Sequence, residues 1–139
     1  TGSRPDADAD VPVVAMSLTT GLAPAAHRAV GRALAPLRAD GVLIVGSGMS
    51  YHNPNPGPGG AEASIAFDDW LDDSLAHDEA GRSARLAEWE SAPSARNAHP
   101  REDHLLPLMV TSAAGGDSPA RKVWQGAVAD TRVSAWAFD

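Results

Sequence analysis

The sequence has no cysteine among its 139 residues, which excludes disulfide bonds and thiolate zinc sites. It also has little positive charge: Lys and Arg number 11 against 18 Asp and Glu, the net charge is −7, and Lys122 is the one lysine. Because nucleic-acid-binding surfaces need clustered positive charge, this balance argues against a nucleic-acid partner. No run of about 18 apolar residues is present, which argues against a membrane protein, and no charged-then-apolar leader opens the sequence. Together these absences favour a cytoplasmic location.

The hydrophobic fraction of 43% is sufficient for a packed core, and the length is that of one ordinary domain. Residues 1–10 are polar and acidic, and we expect them to form a flexible lead-in. Residues 11–139 are then expected to belong to a single domain.

The first part of that domain has the pattern of a βαβ unit. Residues 11–18 and 42–48 are short apolar runs that predict buried strands. Between them, apolar residues recur at helical spacing, with Pro24 suited to the first turn of a helix and Gly41 to its stop. The two strands should be parallel. The expected fold class is α/β, with a central, largely parallel or mixed sheet flanked by helices.

The second part predicts helices and a hairpin. Residues 61–93 indicate two helices with a break near Gly81 and an end near Pro93. A further short helix is expected to begin at Pro100. The tail alternates over residues 122–129 and 132–138, which is typical of an antiparallel hairpin.

His52 is a candidate for acid–base chemistry. It follows the "GSG" of residues 46–48 and lies in a stretch, residues 48–60, with three prolines and four glycines. Such a loop at the carboxyl end of a buried strand is where α/β proteins bind ligands. A histidine there is either a general acid or base over a cleft or a turn residue with one backbone hydrogen bond.

His99 and His104 are the other candidates among the five histidines, since His27 and His77 are expected to be solvated surface residues. If a helix begins at Pro100, His99 lies at its N-cap and His104 in its second turn. The pair then does not share one helical face, but both side chains could reach one cleft from two sides. The alternative for His104 is a helix histidine bonded to a nearby carbonyl. An α/β-hydrolase-like enzyme would need a nucleophile, and no G-x-S-x-G elbow is present.

Two motifs together resemble a known family. "GSG-x-x-x-HN" at residues 46–53 and "HP-x-x-(E/D)-H-x-x-PL" at residues 99–108, in this order, resemble the carboxyl-terminal half of the class III extradiol ring-cleaving dioxygenases. The branch is the DOPA-dioxygenase-like group of the LigB superfamily, and the resemblance covers residues 9–139. Asp103 stands where the family usually has glutamate.

The resemblance implies a site and its partners. It implies a metal, iron(II) or zinc, with His104 as a ligand, and a catechol-type aromatic substrate that is opened with dioxygen. It implies that His52 contacts substrate or oxygen and moves a proton. It also implies that His99 is a second catalytic-site residue, which either lines the pocket or packs behind the residues that line it.

The resemblance also implies that two further metal-binding histidines lie in an amino-terminal half that this sequence does not contain. Three explanations follow: a fragment, a split enzyme whose partner subunit carries the missing ligands, or a truncated product. The alternative to an enzyme part is therefore a non-catalytic metal- or ligand-binding remnant or oligomerising module. Apolar surface that the missing half would cover should be exposed, which predicts either self-association as a homo-oligomer or poor stability of the chain alone.

Overall fold

A computed structural model describes residues 11–139, so that the predicted lead-in at residues 1–10 lies outside the described residues. Within them the fold mixes helices with a small sheet, as the α/β expectation requires. The α-helices are α1 (Pro24–Leu34), α2 (Gly60–Leu75), α3 (Glu79–Ala87), α4 (Ala95–Ala98) and α5 (Leu106–Ala114), and the strands are β1 (Ala120–Val128) and β2 (Thr131–Phe138). None of these helices combines the length and apolarity needed to cross a bilayer.

Helix α1 begins where the sequence predicts, and the helical segment that it opens stops at the predicted Gly41. Pro24 occupies its first turn, a short 3-10 helix continues it over Ala35–Asp40, and Gly41 follows with a φ of 81°, a left-handed conformation that glycine adopts without strain. Gly31 faces α5, and a side chain at this position would overlap the backbone carbonyl of Val110. The two helices therefore approach more closely than larger residues would permit.

The core lies between α2, α3 and the segment from α4 to α5. Its fully buried side chains make one apolar cluster. The largest members are Phe67, Leu71, Leu75, Leu86, Trp89, Leu105, Leu106 and Met109. The predicted break near Gly81 is wrong, because α3 begins after Asp78, whose carboxylate accepts the Gly81 N–H at 2.8 Å and caps the helix.

Strands β1 and β2 form the predicted antiparallel hairpin. The two residues between them, Ala129 and Asp130, have φ values of 47° and 64°, and this pair of positive angles matches the twist of a two-residue hairpin turn. On the β2 edge that faces away from β1, side chains accept two backbone N–H groups. Ser64 Oγ accepts from Arg132 at 2.7 Å and Ser50 Oγ from Ser134 at 2.9 Å.

The two predicted parallel strands are not formed. Residues 11–18 and 42–48 belong to no strand ladder among residues 11–139, and the sheet there has two antiparallel strands. Both stretches are largely exposed instead of buried: Val13 is 89% exposed and Leu43 is 85% exposed. A strand needs a neighbour for its backbone N–H and C=O groups, and residues 11–139 place no strand beside either stretch. The apolar pattern indicates that both stretches need burial, but it does not specify which strand would pair with them.

Candidate functional site

Two chain segments that are distant in sequence are joined at the candidate site. They are the loop after residue 48 and the segment that leads from α4 to α5. The Met49 N–H donates to the carbonyl of His104 at 3.0 Å, and the His52 N–H donates to the carbonyl of Ala98 at 2.9 Å. These backbone bonds fix the position of the loop histidine relative to the second motif.

Side chains on both segments strengthen this connection. The Tyr51 hydroxyl donates to Asn97 Oδ1 at 2.7 Å, and the Asn53 amide donates to the Asn97 carbonyl at 2.7 Å. In return, the Asn97 amide donates to the carbonyl of Pro56 at 3.2 Å. The Pro/Gly-rich loop is thus anchored to the rest of the fold through one asparagine.

The result is a close pair of imidazoles. The rings of His52 and His104 stack, with centroids 3.6 Å apart and planes inclined by 20°. Both side chains are partly exposed, so both remain accessible to a ligand. The fold therefore brings together the histidines of the two motifs.

A metal ion would need more ligands than this pair. In the described part of the chain, the closest carboxylate oxygen to His104 is Asp103 Oδ2, 4.0 Å from Nε2. Among residues 11–139 no group of three or more His, Cys, Asp or Glu side chains is arranged to hold a metal ion. Since mononuclear non-haem iron sites use three protein ligands, these residues alone do not fit such a site.

His99 lies behind the pair, in the core. It is fully buried, its Nε2 lies 3.0 Å from the carbonyl of Ser50, and its ring makes edge contacts with Phe67 and Trp89. Burial lowers its pKa to about 4, so the ring is neutral near pH 7. A neutral ring with its proton on Nε2 donates to Ser50, which leaves the buried Nδ1 without a partner. The expected N-cap position is wrong: His99 follows α4, and α5 begins at Leu106 rather than at Pro100.

The glycines of the first motif serve backbone packing. A side chain at Gly46 would lie 2.7 Å from the carbonyl oxygen of Pro107, and one at Gly48 would overlap the carbonyl oxygen of His104. Glycines in such a loop would also permit a sharp turn and a close approach to a ligand. The structure shows that what they approach closely is the backbone of the second motif.

A groove of about 710 Å³ begins at this site. Residues 42–46 and 48–50 line one side of it and residues 134–139 line another, while His104 contributes to the wall. Sequence reasoning placed a hollow next to the histidine pair, but it did not identify Ser50, which is buried and connects the loop to β2. Ser50 is hydrogen-bonded to His99, which lies 49 positions away in sequence, and to Ser134, which lies 84 positions away. No local sequence pattern indicates these contacts.

The two remaining histidines lie elsewhere. His77 is exposed, as expected. The expectation of a solvated surface residue is wrong for His27, which is 2% exposed. Its Nδ1 lies 2.7 Å from the Ala23 carbonyl and its Nε2 accepts the Thr19 N–H at 3.2 Å, so the ring ties the preceding chain to the start of α1. The amphipathic pattern did not reveal that the chain before α1 folds over this residue.

Tyr51 provides a direct test of the connection between the two segments. We expect Tyr51→Phe to lower the free energy of unfolding by about 1 kcal/mol, because it removes one hydrogen bond and leaves Asn97 Oδ1 without its donor. Urea unfolding measures this loss. Burial also raises the pKa of Tyr51, and since it is the one tyrosine, absorbance titration can follow it. Unchanged stability together with an ordinary pKa would contradict the buried, bonded hydroxyl.

Comparison with known protein families identifies the family of this chain. Residues 5–137 match the LigB family, described as the catalytic LigB subunit of aromatic ring-opening dioxygenase. The chain belongs to the LigB family. This LigB chain is 40% identical over 116 residues to a 4,5-DOPA dioxygenase extradiol of Portulaca grandiflora, covering 79% of the chain and 42% of the relative. It is 35% identical over 130 residues to the protein of that name in Beta vulgaris, covering 87% and 47%.

The LigB chain therefore spans less than half the length of the curated relatives it matches. A solved structure shows the same proportion. The crystal structure of an uncharacterized protein from Escherichia coli K12 matches with a TM-score of 0.67 and 24% identity, over 81% of this chain and 48% of that one. This likeness shows a shared fold and also shows that about half of the neighbour's fold has no counterpart here.

Proposed function

We propose that this LigB chain is the carboxyl-terminal part of a non-haem iron(II) extradiol dioxygenase that opens catechol-type aromatic rings with dioxygen. The observation that carries the proposal is the stacked pair of His52 and His104 on two motifs brought together by the fold. Family membership supports dioxygenase chemistry, and the relatives named as extradiol dioxygenases support a catechol-type substrate. The aromatic substrate, dioxygen and a cytoplasmic location are all parts of this proposal.

In this proposal the chain contributes part of a shared site. His104 is a metal ligand, and the other ligands come from the remaining part of the LigB fold; imidazole suits iron(II) and also zinc. When bound, the metal would supply Lewis-acid and redox chemistry to substrate and dioxygen.

The roles that we propose for His52 and His99 follow from how far each side chain is exposed. His52 is partly exposed against His104 and can exchange a proton with a substrate hydroxyl that enters beside it. His99 is too deeply buried to touch substrate. It is a positioning residue, since its bond to the Ser50 carbonyl fixes the loop two residues before His52.

The proposal is tested on the chain combined with the remaining part of the fold, either as the longer gene product or by co-expression. We expect stoichiometric iron and oxygen uptake with catechols. His104→Gln should lose the metal, whereas His52→Gln should keep it and lose about 10²–10⁴-fold in turnover, the usual range for a general acid or base. His77→Gln is the matched control, because that histidine is exposed and lies outside the site.

A second candidate is a non-catalytic remnant of the family. It is favoured by one observation, namely that residues 11–139 arrange no three-residue metal group. The same assay separates the two candidates. Stoichiometric metal without oxygen uptake, or no metal after the fold is completed, would overturn the dioxygenase proposal and support the remnant.

A further inference from the structure

The loop segment that carries His52 is held by a small number of polar contacts. Residues 51–56 belong to no helix or strand, so no regular ladder of backbone hydrogen bonds keeps them in place. In the described part of the chain, four hydrogen bonds join these residues to the chain after α2. Three of them end on Asn97 and the fourth, from the His52 N–H, ends on Ala98. Most of the polar connection of this segment therefore depends on one asparagine.

The three bonds use three different groups of Asn97. Its side-chain oxygen accepts from the Tyr51 hydroxyl at 2.7 Å, and its backbone carbonyl accepts from the Asn53 amide at 2.7 Å. Its side-chain amide donates to the carbonyl of Pro56 at 3.2 Å. The Asn97 side chain thus bonds the loop on both sides of His52, before it at Tyr51 and after it at Pro56.

Burial makes a departure from this arrangement costly. The Tyr51 side chain is buried, whereas the His52 ring beside it is partly exposed and stacks on His104. A buried polar group that loses its partner costs more than the net contribution of the bond itself. Loop conformations that separate Tyr51 from Asn97 are therefore disfavoured, and displacements of His52 from His104 are disfavoured with them.

We infer that Asn97 is a positioning residue that holds the His52 imidazole against His104. The inference deepens the proposed function and rests on it, because a general acid or base must lie within hydrogen-bond reach of the group that it serves. Asn97 bonds to the loop and not to the two rings, so it acts through the loop. A displacement of about 1 Å at a reacting group can lower turnover about 100-fold.

Nuclear Overhauser measurements on the full chain test the inference without reference to activity. Asn97→Ala removes the side-chain bonds on both sides of His52, and the cross-peak between the imidazole protons of His52 and His104 should be lost. Asn97→Asp keeps the oxygen that accepts from Tyr51 and should retain part of the cross-peak. Asn55→Ala is the matched control and should keep all of it, because Asn55 is exposed and bonds through its backbone N–H, which alanine retains.

Two further measurements separate loss of position from loss of the fold. The edge contacts of the buried His99 ring with Phe67 and Trp89 should persist in Asn97→Ala, which shows that the core is intact. If Asn97→Ala does not fold, Tyr51→Phe removes one of the same bonds from the other side and should weaken the cross-peak of the histidine pair. A full cross-peak in that variant would then overturn the inference.

Oxygen uptake with catechols, measured on the completed LigB fold, adds a readout that a merely structural role would not change. Asn97→Ala should lower kcat about 10- to 100-fold. The KM should change far less than kcat, as expected when an interaction that acts in the transition state is weakened. The iron content should stay at the level of the parent protein, because His104 is unaltered.

The outcomes are distinct. A full cross-peak in folded Asn97→Ala, or an equal loss in Asn55→Ala, would overturn the inference. Loss of the cross-peak with an unchanged kcat would also overturn it. If the parent protein takes up no oxygen, the proposed function fails, and the cross-peaks alone decide whether Asn97 holds the histidine pair together.

Discussion

Replacing Gly48 with alanine should separate the two motifs and lower the free energy of unfolding by about 3 kcal/mol. The added methyl group would overlap the carbonyl oxygen of His104 and contact the Pro107 ring at 3.1 Å. Backbone cannot move aside as a flexible side chain can, so the cost should be at the upper end of the range for overpacking. The same displacement would break the bond from Met49 N–H to His104 and so move His52 away from its partner.

Urea unfolding and the chemical shifts of the two imidazoles measure the effect of Gly48→Ala. Gly21→Ala is the matched control, because a side chain there meets no atom within 4 Å, and its stability should stay within about 0.5 kcal/mol of the parent chain. Equal stability of the two variants would show that residue 48 does not lie against the second motif.

Acid should destabilise the protein through His99. Burial lowers the pKa of this ring to about 4 from an ordinary value of 6.5. Between these two values the unfolded chain binds a proton that the folded protein does not bind, so stability falls as the pH decreases. The contribution is complete above pH 6.5 and is lost by about pH 4. It amounts to about 3 kcal/mol, since each tenfold change in proton affinity is worth about 1.4 kcal/mol.

Urea unfolding across this pH range tests the prediction with two variants. His99→Gln retains an N–H donor for the Ser50 carbonyl but cannot titrate. The free energy of unfolding of this variant should therefore fall by about 3 kcal/mol less than that of the parent chain between pH 6.5 and pH 4. His77→Gln should keep the full dependence, because His77 is exposed. Parallel pH profiles for His99→Gln and the parent chain would mean that His99 is accessible to protons in the folded state, against its burial.

Features encoded by short-range pattern were predictable from the sequence. Helix α1, its stop at Gly41 and the hairpin around residues 129–130 depend on residues within a few positions of one another. The two apolar runs at residues 11–18 and 42–48 were predicted as buried strands, which is wrong for the described residues. Their patterning indicates a need for burial, but residues 11–139 pair neither run with a neighbouring strand.

The site was predictable to a smaller extent. His52 and His104 are 52 positions apart, and no local spacing indicates that their rings stack. The family resemblance named both histidines as site residues, but it did not specify this contact. The roles assigned to His52, His99 and His104 stay predictions. The burial of His27 and His99 was not predictable from periodicity. His27 is bonded to Thr19 in the non-helical chain before α1. His99 depends on the distant carbonyl of Ser50 and on aromatic neighbours.

The most direct test of the account is a nuclear Overhauser measurement between the imidazole protons of His52 and His104 in the folded chain, with the five histidines assigned by single His→Gln variants. Rings whose centroids are 3.6 Å apart should give a strong cross-peak, and neither ring should show one to His77. Assigned resonances without a cross-peak between residues 52 and 104 would contradict the shared site, and with it the dioxygenase proposal.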